Sequence, residues 1–489
     1  MLHHGEELPQ VHHPWEGLRD ERRLQGGKGR GGEALRGEGR RDLQGHRRQE
    51  VVQGRQRDLH QELQGRRWRR TKLVVFEDER LGGFGPLTRL RHASLLRWGT
   101  KTILEALAGT VPDAKDVSLW GRPELAAVSK DLTRAQYNDK TYGPTFFLNA
   151  RARPTQRLLS SVSSSEPFAA VSGGELVAAM LESVWFKPGV ITKGVVAGIA
   201  KKVSRVAPPP DPLFSGYWDL VASNGLAIAE QARRFEEPLP LPRDVAVRGP
   251  ASNLMVAEGA DLEGSVTLDA RLGPIVIDRG ASVESFSRVM GPCYIGPRAK
   301  LYSALIGGGT SIFEACKVGG EVENSIIMPF TNKAHYGYVG DSYIGSWVNL
   351  GAGCTFSNLK NTYGNVRPTV DGKRVDSGAV KLGPAVGDMA KLSIGTLVYA
   401  GKSVGTGSHV AGLAATDVPS FTYYDGGTGR KVELELESVL ETQRRMMERR
   451  GMSLGRSGEA LVRRAFASTA AERRSAGARK GKIGQPEKP

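Results

Sequence analysis

A chain of 489 residues is too long for one hydrophobic core, so two or three domains are expected. Its 39% hydrophobic content marks a globular protein, and its 62 glycines favour an architecture of many turns over a helical bundle. The formal charge of +16 sits mostly at the ends: residues 1–70 hold sixteen Lys and Arg against eleven acids, and residues 441–489 hold thirteen against five. The middle therefore carries about +3, which argues against specific nucleic-acid binding, where a folded module would show the basic patch.

Cys293, Cys316 and Cys354 are odd in number and far apart. They suit small buried residues in a reducing cytosol better than a disulfide framework or a zinc site. No apolar run approaches the ~20 residues of a membrane span, and residues 1–70 lack the apolar centre of a signal peptide.

In chain order, residues 1–70 are rich in Arg, Gln, Gly, Glu and His with little aliphatic periodicity, and are expected to be disordered. The abrupt change at Thr71–Phe76 predicts a native start near Lys72, the preceding segment being upstream sequence translated in error. A first domain is expected over 71–245. Leu73–Phe76 reads as a buried strand, a glycine loop follows with Gly82, Gly83 and Gly85, and Thr102–Ala108 has helical spacing. Strand, glycine loop and helix is how open α/β sheets present backbone N–H groups to phosphate. The glycine spacing matches neither common phosphate loop, so an ordinary surface turn is the alternative. Glu175–Leu181 reads as a helix, Pro208–Pro212 as a stiff break, Trp218 as a packing anchor and Leu226–Arg234 as a helix. The run Pro238–Pro242 closes the domain.

From Val256 a six-residue period appears: an aliphatic residue, two or three turn residues, a small residue. Ile344–Asn349 and Leu350–Thr355 are two such units. Three units per turn stack into a left-handed parallel β-helix, each turn burying the aliphatic row of the next, over residues 246–422. The phase breaks at 359–380, where Val366–Val375 reads as a hairpin around Asp371-Gly372. Residues 423–489 are expected to form a helix over 431–466, packed on the end of the coil, and a basic disordered tail after Arg463.

Outside residues 1–70 the histidines are His92, His335 and His409. His335 alone stands among polar residues spaced to converge between adjacent turns: Lys333, Tyr338, Asp341, Asn349 and Asn358. Histidine is the usual proton acceptor near neutral pH; a structural histidine at a corner is the alternative.

Two stretches carry a resemblance. Phe76-Glu77-Asp78, Pro86-Leu87-Thr88, Arg91 and Arg97-x-Gly99 resemble the opening of sugar-1-phosphate nucleotidyltransferase-like proteins. Asn332-Lys333-Ala334-His335-x-x-Tyr338-x-Gly340-Asp341, Val348-Asn349-x-Gly351-Ala352-Gly353 and Asn358 resemble the acetyltransferase half of bifunctional N-acetylglucosamine-1-phosphate uridyltransferase/glucosamine-1-phosphate acetyltransferase. The resemblance implies a Rossmann-like α/β nucleotidyltransferase domain before the coil. It implies a cytoplasmic homotrimer that takes a sugar phosphate, a nucleoside triphosphate and acetyl-CoA, with Mg²⁺ for nucleotidyl transfer. By it, Arg91 and Arg97 meet nucleotide or sugar phosphates, and His335 is the general base for the sugar amine. Lys333, Tyr338 and Asn349 bind the substrate, Asn358 lines the site near the acyl group, and an N–H of Gly351–Gly353 receives the oxyanion. Leu359 stands where the bifunctional enzyme has tyrosine, and no Gly-Asp motif for Mg²⁺ is evident. Two other functions fit the same features: nucleotidyl transfer alone with the coil for oligomerisation, or a non-catalytic sugar-nucleotide-binding scaffold.

Overall fold

The computed structural model describes residues 71–481 apart from 111–115, 134, 156–157, 159–165 and 233–240. The expectations for residues 1–70, for most of the closing proline run and for residues 482–489 lie outside the described residues.

The first domain is built on strand β1 (Lys72–Phe76), which runs parallel between β2 (Val117–Trp120) and β4 (Thr145–Asn149), with β3 (Gln136–Tyr137) beside β2. Leu73 and Val75 enter one apolar cluster and Val74 and Phe76 another, so both faces of the strand are covered. Beyond β4 lie β6 (Glu175–Leu181), β5 (Phe168–Ser172) and β7 (Ser204–Val206), in the order β3-β2-β1-β4-β6-β5-β7. The helices are α1 (Ile103–Thr110), α2 (Ala126–Leu132), α3 (Lys193–Lys202), α4 (Tyr217–Ala222) and α5 (Asn224–Gln231).

Glu175–Leu181, expected as a helix, is strand β6. Its residues from Leu176 to Leu181 are all buried between β4 and β5, and both antiparallel ladders outweigh the helix propensity of Leu, Ala and Met. Gly173-Gly174, both at positive φ, turn the chain between β5 and β6; this two-glycine hairpin signal was the one to read.

The second domain is a parallel β-helix with three ladders. Ladder three contains Leu254–Val256, Ile275–Ile277, Cys293–Ile295, Thr310–Ile312, Ile326–Ile327, Tyr343–Ile344, Ala385–Val386 and Ser403–Val404. Ladder one places Arg288, Leu305, Glu321 and Tyr338 in register, and ladder two Lys300, Lys317, Asn332, Asn349, Lys391 and His409. The aliphatic rows fill the centre, and the three cysteines sit among them as buried free thiols. One inward position breaks the pattern: Val318 is followed in register by Lys333.

The hairpin at 366–375 is present, pairing Thr369–Val370 with Lys373–Arg374 around Asp371 and Gly372, both at positive φ. Its tip reaches the chain's own first domain: a Cβ on Gly82 would collide with the Asp371 carboxylate.

The C-terminal segment differs from expectation. It opens with a strand, Lys431–Glu433, before α6 (Leu436–Glu448) and α7 (Arg456–Ser468). The stretch after Arg463, expected without structure, continues through α7 into α8 (Ala470–Ser475) and the strand Arg479–Lys480. Leu461, Val462 and Ala465 bury the inner face of α7. Arg473 is fully buried and donates to Glu433 Oε2 (2.7 Å), Thr469 Oγ1 (2.8 Å) and the Phe466 carbonyl (2.9 Å). The basic composition concealed an arginine whose three guanidinium nitrogens each have a partner.

Candidate active site

In the first domain the acidic pair after β1 is occupied by arginines. Glu77 accepts from Arg122 Nε (3.0 Å) and Nη2 (2.8 Å) and from the Ala93 N–H (2.9 Å). Burial pushes its carboxyl up, but His92 and Arg122 bring it below the usual range. Asp78 accepts from Arg151 Nε (3.1 Å) and Nη2 (2.6 Å) and from Asn149 Nδ2 (2.7 Å). Mg²⁺ is usually held by one or two carboxylates together with substrate phosphates and waters. The oxygens of Glu77 and Asp78 are already taken by arginines and neighbouring donors, so this acidic pair does not fit Mg²⁺. The described residues contain no cluster of three acids, histidines or cysteines placed for a metal ion.

Arg91 and Arg97 are not side by side in an open cleft. Arg91 is ion-paired to Asp388 of the coil, with 13% and 3% of their side chains exposed. Arg97 lies over the Phe313 ring (5.0 Å), 3.6 Å from Glu105, and its backbone exchanges hydrogen bonds with the Tyr343 hydroxyl. Both arginines are thus placed at the junction of the two domains. Asn224 joins the same junction: its Nδ2 donates to the Gly309 carbonyl and to Ser311 Oγ, and its Oδ1 accepts from the Gly99 N–H.

On the coil, His335 is at an exposed corner between Asn332–Lys333 and Tyr338–Gly340. Among the described residues its ring has no hydrogen-bond partner. Its carbonyl is fixed from inside by Lys333, whose Nζ donates to His335 O (3.0 Å) and Gly319 O (2.6 Å). Lys333 is 2% exposed, and burial brings its ammonium down to about 8. It occupies a row of aliphatic side chains, so it supports the corner and does not line an open substrate site.

Tyr338 and Asn358 are brought together. The Tyr338 hydroxyl donates to Glu323 Oε1 (3.0 Å) and accepts from Asn358 Nδ2 (2.9 Å), which also donates to Asp341 Oδ2 (2.6 Å). Asn324 Nδ2 donates to the other Asp341 oxygen (2.6 Å). Burial raises the Tyr338 hydroxyl and the Asp341 carboxyl, with Glu323 adding to both. Glu323 and Asn324 were not among the expected site residues. The signal was present: positions 324, 341 and 358 are spaced by 17, one turn of coil.

Asn349 is set apart, on ladder two, where its Oδ1 accepts from Asn332 Nδ2 (2.9 Å) and it lines a cavity beneath α6. In the run Gly351–Gly353 two N–H groups are already used, Gly351 with Leu392 O and Gly353 with Tyr336 O. That of Ala352 has no partner among the described residues.

Residues 73–237 match the family model described as sugar nucleotidyl transferase. A bifunctional sugar-1-phosphate nucleotidylyltransferase/acetyltransferase of Sulfurisphaera tokodaii is 38% identical over 98 residues, 20% of this chain and 24% of that protein. The bifunctional protein GlmU of Methanococcus vannielii is 32% identical over 173 residues, 34% of this chain and 40% of that protein. The chain thus spans between about a quarter and two fifths of the length of these relatives. Among solved structures, a UDP-N-acetylglucosamine acyltransferase from Arabidopsis aligns with 47% of this chain and 79% of that one, at 14% identity and a TM-score of 0.23. By its sequence matches the chain is similar, over part of its length, to the bifunctional sugar-1-phosphate nucleotidylyltransferase/acetyltransferases, and its residues 73–237 match the sugar nucleotidyl transferase family.

Proposed function

We propose that the coil is an acyl-CoA-dependent N-acyltransferase acting on an amino-sugar phosphate, in a cytoplasmic enzyme of sugar-nucleotide synthesis. The observation that carries this reading is the exposed His335 ring on a corner braced by Lys333, next in the chain to the Glu323–Tyr338–Asn358–Asp341 network. His335 takes the proton of the sugar amine as the amine nitrogen attacks the thioester carbonyl of acetyl-CoA; the C–S bond then breaks and the proton passes from His335 to the departing CoA sulfur, leaving the N-acetyl sugar and free CoA. Tyr338 orients the sugar phosphate and Asn358 lines the acyl side. Leu305 and Leu397 are half exposed on the ladder that bears Tyr338, and this apolar surface suits a neighbouring coil in a trimer. The test is acetyl-CoA turnover with glucosamine-1-phosphate. His335→Ala is expected to lose on the order of 10²–10⁴ in rate with an unchanged melting temperature; retained turnover would remove the assignment.

For the first domain, nucleotidyl transfer to a sugar phosphate is the reading that its relatives support. The Arg122–Glu77 and Arg151–Asp78 pairs favour a second, in which it binds a sugar nucleotide without metal-dependent turnover. Pyrophosphate release from UTP or dTTP with sugar phosphates separates the two.

A further inference from the structure

The outer row of ladder two bears amines at both ends and amides in the middle: Lys300, Lys317, Asn332, Asn349 and Lys391, in register at the spacing of successive strands, with the Lys391 amine turned to the Trp347 and Met389 carbonyls. The C-terminal helix α6 and the turn after it lie over this row and bring Arg445, Arg449 and Arg450 to face it. The cavity between them has a volume of about 400 Å³, and no carboxylate lines it. Arg445 has an acid on its own helix, Glu441 (3.0 Å), and Arg450 donates to the Ala315 carbonyl (3.0 Å). Lys317 and Arg449 have no carboxylate partner among the described residues. Burial depresses the Lys317 ammonium, and Arg450, Lys300 and Arg449 press it further down. A helix that lays arginines over a lysine row sets like charges across one cavity, an arrangement that an anion of several charges would neutralise.

The amides add direction. Asn332 Nδ2 is used on Asn349 Oδ1, which leaves the Asn349 Nδ2 donors without a partner among the described residues, between the two lysines. Arg450 also lines an adjoining cavity of about 320 Å³ that contains Phe330, whose ring stacks on Trp347 at 4.4 Å and 4°. A flat aromatic pair beside a cationic cleft suits a base that continues from a phosphate chain.

We infer that the cleft between ladder two and α6 is a binding site for a diphosphate anion, either free pyrophosphate or the diphosphate of a nucleotide, built by one chain and without His335. The inference does not rest on acyl transfer. The full-length chain is titrated by calorimetry at low salt with orthophosphate, pyrophosphate and ADP. The expected result is a saturable pyrophosphate site, at least tenfold tighter than for orthophosphate, that is additional to any site of the first domain and is assigned to the cleft by its loss when Lys317 and Arg449 are neutralised. Binding is expected to weaken at least tenfold in the double variant Lys317→Gln/Arg449→Gln and to be unchanged in His335→Ala. Tighter binding of ADP than of pyrophosphate supports the site with a nucleotide as occupant; equal binding supports it with the inorganic anion. If the double variant melts early, Lys317→Arg/Arg449→Lys, which keeps both charges, is expected to bind as the wild type does. Absence of saturable binding by either diphosphate, orthophosphate binding as tight as pyrophosphate, undiminished binding in the folded double variant, or lost binding in the charge-keeping variant would each overturn the proposal.

Discussion

Lys333 shows what one residue does inside a coil. Its neighbours in the row are aliphatic, and an ammonium among them is desolvated, which is why it falls to about 8. Its two hydrogen bonds go to the Gly319 and His335 carbonyls, on adjacent turns, so the amine ties the corner that carries the imidazole to the turn beneath it. Lys333→Met has a fitting volume for the row but leaves both carbonyls unbonded. Acetyl transfer is expected to lose about tenfold or more in kcat, since small displacements of a general base are costly, with a smaller change in KM for the sugar phosphate. No further fall on adding Lys333→Met to His335→Ala would show that the lysine acts through the histidine, whereas equal falls in both backgrounds would show that it acts independently. A kcat unchanged in Lys333→Met would remove this positioning role.

At the scale of the element, ladder two buries a second amine. Lys391 Nζ donates to the Trp347 (3.0 Å) and Met389 (2.8 Å) carbonyls, and burial brings it down to about 7, well below its ordinary 10.5. Between those two values the unfolded chain binds the proton and the folded coil does not, so stability increases as pH rises through this window. Lys333 acts in the same direction from about 8 upward. The wild-type coil is expected to gain on the order of 1–3 kcal/mol from Lys391 between pH 7 and 9.5. Lys391→Met is expected to flatten that part of the rise, measured by urea unfolding at the two pH values. A parallel rise in both proteins would place the proton release elsewhere.

For the molecule as a whole, ladder three meets the first domain, and α6 lies over ladder two. The domain junction is polar as well as apolar: Arg91 with Asp388, the Tyr343 hydroxyl with Arg97, Asn224 with the coil, and the Tyr217 hydroxyl donating to Gly383 O (2.9 Å). Asp388 also accepts from the Ser346 N–H (2.7 Å), so it stays buried when its arginine is removed. Arg91→Ala is therefore expected to cost about 3–5 kcal/mol, the penalty of an unpaired buried carboxylate, and Arg91→Ala with Asp388→Asn distinctly less. Calorimetry checks both, and a junction that couples the domains is expected to melt in one transition in the wild type and in two in Arg91→Ala. Equal losses in the single and double variants would mean the pair contributes nothing to the coupling.

The amino-acid sequence by itself determined the repeat and its consequences. A six-residue period with aliphatic residues facing inward leaves a chain few ways to bury them except stacked parallel turns, and the break at 359–380 with Asp371-Gly372 could only be a projection from that stack. The first strand and the hairpin followed from local patterns that short-range physics decides. Three things were settled only by tertiary structure. Glu175–Leu181 is a strand because two neighbouring ladders claim its backbone. Arg91 and Arg97 meet the coil because Asp388, Phe313 and Tyr343 arrive there from more than two hundred residues away. Asn349 parts from Tyr338 and Asn358 because successive sides of a three-sided coil face different directions, and distance along the chain does not say which element will cover each side.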